Sequence, residues 1–73
     1  MTTLAEIANL LDPGQGVLIY NYNVDTSDPI FDGIVRDIPF DFLDFDVVAL
    51  RAIKYYNAAV LEIELNYSEV AYI

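Results

Sequence analysis

The sequence has no cysteine and no histidine. Without cysteine no disulfide can staple a small fold, and without either residue the usual zinc ligands are missing. The same two absences remove the Ser-His and Cys-His pairs of nucleophilic catalysis. Ser27 and Ser68 remain as hydroxyls, with Lys54 as the single lysine. Ser27 reads as a loop residue and Ser68 as a cap. No catalytic residue, no metal and no cofactor are therefore expected.

Positive charge is nearly as scarce. Arg36, Arg51 and Lys54 face twelve acids, for a net charge of −9. Three scattered bases cannot build the basic patch that nucleic acid requires, so direct nucleic-acid binding is not expected, and anionic membranes are repelled in the same way. No run approaches the roughly 18 apolar residues of a membrane span. The opening Met-Thr-Thr-Leu-Ala-Glu holds no basic region and no long apolar stretch, so no signal peptide is expected. A cysteine-free chain fits the cytosol. The acidity favours a basic partner, and it serves equally well as charge that keeps an apolar chain dispersed.

Apolar side chains are abundant. At 56% hydrophobic and 14% aromatic residues, the chain is too apolar for disorder despite its charge. The 73 residues read as a single domain, 1–73. A chain this short buries only about 60% of its unfolded surface, so stability must come from a dense core or from self-association.

The pattern predicts a helix over residues 3 to 12. Thr3 caps it, and Glu6 completes a capping box. Leu4, Ile7, Ala8 and Leu11 form one apolar stripe, and Asp12-Pro13-Gly14 stops it. Residues 17 to 23 predict a strand with Leu18, Tyr20 and Tyr22 on one face and Val17, Ile19 and Asn21 on the other. Both faces are partly apolar, as in a central strand. After a polar loop, residues 30 to 38 predict a second strand ended by Pro39, with Gly33 marking a bulge or a close approach. Residues 40 to 46 predict one or two helical turns over the core, phenylalanines inward and Asp41, Asp44 and Asp46 outward.

Residues 47 to 56 and 59 to 65 predict a hairpin turning at Asn57-Ala58. In its second strand Leu61, Ile63 and Leu65 point to the core and Val60, Glu62 and Glu64 to water, with Arg51 or Lys54 opposite the glutamates. Residues 67 to 73 read as a last helical turn or an edge segment. The expected fold is α+β: an N-terminal helix packed on a small four-stranded, mainly antiparallel sheet, in the order α-β-β-α(short)-β-β.

Three candidate chemistries arise from the remaining residues. Carboxylates are numerous enough for a glycosidase-like pair, but no spacing singles one out and little chain is left to wall a cleft. Asp25, Asp28 and Asp32 raise a weak calcium or magnesium site. Their spacing, with no glutamate after them, does not fit a calcium loop, and Asp, Ser and Pro are ordinary turn formers. Gly14-Gln15-Gly16 follows a helix instead of preceding one and lacks the lysine of a phosphate loop.

What remains is surface recognition. Asp41, Asp44, Asp46, Glu62 and Glu64 are the candidate charge donors, with Tyr20 and Tyr22 as aromatic anchors. Glu62 and Glu64 on one strand face stand about 6.6 Å apart, and carboxylates so spaced can imitate a phosphate backbone. The full tyrosine set, Tyr20, Tyr22, Tyr55, Tyr56, Tyr67 and Tyr72, suits a half-buried second sheet face. Homodimerisation through that face is a further expectation.

Asp37-Ile38-Pro39 before the Phe/Leu segment, then Val47-Val48, then the hairpin ending Val60-Leu61-Glu62-Ile63-Glu64, resembles small acidic proteins of bacteriophages and prophages. The resemblance covers about the C-terminal half. Proteins of that group include anti-CRISPR inhibitors and other anti-defence proteins, some of them DNA mimics. The resemblance implies a phage-encoded inhibitor or adaptor, acting in the cytoplasm of a bacterial host cell. Its partner would be a basic host protein such as a nucleic-acid-binding nuclease. The alternative is a structural or accessory homo-oligomer whose charge serves only solubility.

Overall fold

The computed structural model describes residues 2–25 and 27–67. In chain order the elements are α1 (Leu4–Ala8), β1 (Gly16–Asn21), β2 (Phe31–Ile34), a 3-10 turn (Val35–Asp37), α2 (Phe40–Leu43), β3 (Val47–Tyr55) and β4 (Ala58–Leu65). The strands form one mixed sheet in the order β2-β1-β4-β3. Two antiparallel pairs, β1 with β2 and β3 with β4, meet along a central parallel pairing of β1 with β4. The fold is thus the expected α+β layer, two hairpins side by side with short helices on one face.

α1 starts where the sequence predicts. Thr3 N–H donates to Glu6 Oε1 at 2.9 Å and Glu6 N–H donates to Thr3 Oγ1 at 3.4 Å, the reciprocal capping box. The helix is shorter than expected, five residues ending at Ala8. Leu10 and Leu11 donate to Ile7 and Ala8, three residues back instead of four, which tightens the last turn. Leu10 is left 83% exposed. Asp12 then closes the stop, its side chain accepting from Gly14 N–H at 2.8 Å.

β1 is the central strand that its two apolar faces call for, with Val17, Leu18 and Ile19 all buried. It ends at Asn21, so Tyr22 and Asn23 lie in the following turn and not in the strand. β2 is four residues long instead of nine. β1 begins at Gly16, so beyond Ile34 there is no strand left to pair with. The N–H groups of Val35 and Arg36 instead donate to the carbonyls of Gln15 and Pro13. Gly33 pairs regularly with Val17, without a bulge. Its role is the close approach: a Cβ there would meet the Phe31 ring at 2.9 Å. The bulge of this sheet lies elsewhere, in β3 between Val47 and Ala49.

The core is Leu4, Val17, Ile19, Ile63 and Leu65, with Phe31, Phe42, Leu43, Phe45 and Tyr67 among the partly buried side chains packed on it. Tyr67 lies edge-on to both Phe42 and Phe45, with ring centroids 5.3 and 4.7 Å apart. It therefore belongs to the helix-covered face and not to a second tyrosine face. Phe40 breaks the inward expectation for its segment and is 87% exposed. The N-terminus is stitched to the far end of α2, with Leu4 N–H donating to Phe45 O and Val47 N–H to Thr2 O.

The β3–β4 hairpin turns at Tyr56-Asn57, one residue earlier than expected, with Tyr55 paired to Ala58. Both turn residues have positive φ, 49° and 64°. A two-residue hairpin loop needs that backbone to match the strand twist. No helix among the described residues is long and apolar enough to cross a membrane. The reading of the tail from residue 68 on, with Ser68 as a cap and Tyr72 as a face residue, lies outside the described residues.

Candidate protein-binding face

Strand alternation places Gly16, Leu18 and Tyr20 of β1 beside Val60, Glu62 and Glu64 of β4 on the sheet face away from the helices. Ala49, Arg51 and Ile53 of β3 continue this face on one side, Asp32 and Ile34 of β2 on the other. No helix covers it among the described residues, yet Leu18 is 2% and Val60 9% exposed. Val60 was expected in water. Its side chain settles against the backbone of Gly16 opposite, where a Cβ would stand 3.3 Å from Val60 Cγ2. Glu62 and Glu64 are themselves only 22% and 27% exposed.

Arg51 joins the two glutamates. Its Nε lies 2.8 Å from Glu62 Oε1 and its Nη2 2.8 Å from Glu64 Oε2. The cross-strand pairing expected from the sequence is therefore made by Arg51, which stands opposite Glu62. Lys54 stands opposite Ala59. One guanidinium spans two carboxylates along a strand, a geometry suited to its planar fork.

Beside this pair, toward the end of β1, lies an open cavity of about 490 Å³. Tyr20, Tyr22, Asn23, Asp25, Glu62 and Glu64 are among its lining residues. Its rim, the turn after β1, is held in place by two asparagines. Asn21 Oδ1 accepts from Asn23 N–H at 2.9 Å. Asn23 Nδ2 donates to Asn66 Oδ1 at 2.8 Å, just past the end of β4. Tyr22 N–H donates to Leu65 O at 2.8 Å. The rim is thus tied to the sheet by both backbone and side chains.

Of the seven residues singled out in the sequence, Tyr20, Tyr22, Glu62 and Glu64 come together at this cavity. The other three do not. Asp41 and Asp44 are exposed on and after α2, on the helix-covered face. Asp46 was expected to point outward but is half-buried. Its residue bridges to Thr3, and its carbonyl accepts from Asn66 N–H. Asp32 sits on β2 and not in the loop with Asp25 and Asp28. Among the described residues no group of three or more acids is arranged to hold a metal ion.

Sequence reasoning missed Asn23 and Asp25 as parts of this site. Asn21-Tyr22-Asn23 was the available signal, since asparagines at a strand end favour turns. At the hairpin tip Tyr55 and Tyr56 rings lie 4.6 Å apart, nearly perpendicular. Desolvation, with smaller contributions from nearby Tyr56 and Asp32, raises the Tyr55 phenol above the usual tyrosine value.

The fold and this face define an acidic α+β domain with one sheet face open, bearing tyrosines and carboxylates around a cavity. No protein-family model matches the chain, and no curated protein and no solved structure matches it.

Proposed function

We propose that this chain is a non-catalytic protein-binding module that engages a basic, nucleic-acid-handling partner through the open face of its sheet. The observation that carries the reading is the convergence of Tyr20, Tyr22, Glu62 and Glu64 at one cavity with a tied rim. Aromatic anchors beside carboxylates suit a positively charged protein surface. The net charge of −9 adds long-range attraction to such a partner. In this reading the protein acts as an inhibitor or adaptor of the phage type, in the cytoplasm of a bacterial host. Simple imitation of a phosphate backbone is modified by Arg51, which partly neutralises the two glutamates.

The test is capture from a bacterial lysate by the wild-type chain and two charge-reversed chains, at low and high salt. Asp25→Lys with Glu64→Lys should abolish retention of the partner, while Asp41→Lys with Asp44→Lys should weaken it only at low salt. Equal retention by all three chains refutes the reading.

A homo-oligomer is the second reading. It is favoured by β3, an edge strand of nine residues on which Val48 and Leu50 are 42% and 46% exposed. Sedimentation of the same samples distinguishes the two. A dimer that Leu50→Lys dissociates, with nothing captured from lysate, supports the second reading.

A further inference from the structure

We propose that the cavity beside Glu62 and Glu64 is a socket for an arginine side chain of the protein partner. The inference rests on the reading above and names the group that enters. Each glutamate uses one oxygen on Arg51, Oε1 of Glu62 and Oε2 of Glu64. The second oxygen of each makes no hydrogen bond or ion pair among the described residues. Both glutamates line the cavity, and Arg51 does not. The carboxylate pair therefore lies between a guanidinium already present and an open space on its other flank.

The chemistry of that space selects its occupant. Asp25, Glu62 and Glu64 bring three negative charges to its lining, against the single positive charge of Arg51 beside it. Tyr20 and Tyr22 supply aromatic faces, on which a guanidinium stacks better than an ammonium does. A volume of about 490 Å³ lies within the range of sites that take small groups. Arg51 already shows in this protein that one guanidinium bonds both carboxylates at once, through a planar fork that a compact ammonium lacks. The tied rim and the Arg51 bridge fix the walls before anything binds, which lowers the ordering cost of binding.

The experiment is a titration of the intact, isotope-labelled protein with tetra-arginine, tetra-lysine and tetra-citrulline peptides, followed by amide NMR shifts. Tetra-arginine should shift Tyr20, Tyr22, Asn23, Glu62 and Glu64 and bind more tightly than tetra-lysine, and tetra-citrulline should leave them unmoved. Glu64→Gln should weaken tetra-arginine about tenfold, as loss of a charge-assisted hydrogen bond does. Asp25→Asn, in an exposed loop, should weaken it in the same direction with the fold intact. Equal affinity for arginine and lysine, or shifts confined to Asp41 and Asp44, overturns the socket and leaves the acidic-binder reading standing. No shift from any peptide at low salt overturns both.

Discussion

The two faces of this sheet bury their apolar residues by different means. On one side Ile19, Ile63 and Leu65 lie fully buried beneath α1, α2 and a phenylalanine-tyrosine cluster. On the other, Leu18 and Val60 reach 2% and 9% exposure with no helix above them. There the neighbours are lateral: Leu18 stands between Asp32 of β2 and Glu62 of β4, and Arg51 bridges Glu62 to Glu64. The first face is a core. The second is a surface on which two apolar side chains are buried while Asp32 and Arg51 stay exposed.

Matched truncations test this difference most strongly. Leu65→Ala should cost about 3–4 kcal/mol, because helices and rings on the core side cannot collapse into the gap. Leu18→Ala should cost about 2 kcal/mol, since its flexible neighbours can settle over the hole. Urea unfolding measures both, and equal costs would erase the distinction between the faces.

The next effect separates the faces by function. Thr3→Ala removes the α1 cap and should cost about 1 kcal/mol while leaving peptide binding at the open face unchanged. The same capping box carries a pH signature. The Thr3 backbone N–H, and then its hydroxyl, hold the Glu6 carboxyl below its ordinary 4.5. A lowered folded-state value means a contribution present above 4.5 and lost as pH falls through the lowered value. Acid unfolding of the wild type should therefore show a loss in this window that Thr3→Ala reduces but keeps in part, because the variant loses the hydroxyl and retains the backbone N–H.

The smallest effect lies at the hairpin tip. Asn57 has φ 64°, where glycine is unstrained, so Asn57→Gly should stabilise by about 0.5 kcal/mol in thermal unfolding. Stabilisation with no change at the cavity would show that the tip and the open-face site are separate.

The fold was legible where local chemistry is self-contained. The Thr3-Glu6 box, the alternation of Leu61 to Leu65 and the Arg51 pairing all depend on residues whose partners are fixed by periodicity. The sequence pattern failed where a partner's length decides the outcome. Residues 35 to 38 look like a strand, but β1 has no residue left to pair with them. It also could not show that Tyr22 and Glu64, 42 residues apart, would line one cavity, because that follows from the parallel joining of the hairpins. Asp41 and Asp44 resemble Glu62 and Glu64 in chemistry, and only the fold separates them onto opposite faces.

That central parallel joining also has a mechanical consequence. β1 and β4 run in the same direction through six paired positions, from Gly16–Val60 to Asn21–Leu65. A pull that separates the chain before Gly16 from the chain after Leu65 slides these strands past each other. Their hydrogen bonds are then loaded in shear and must yield together, whereas a hairpin peels open one bond at a time. Such a pull meets its stiffest resistance at the middle of the sheet, where β1 and β4 pair.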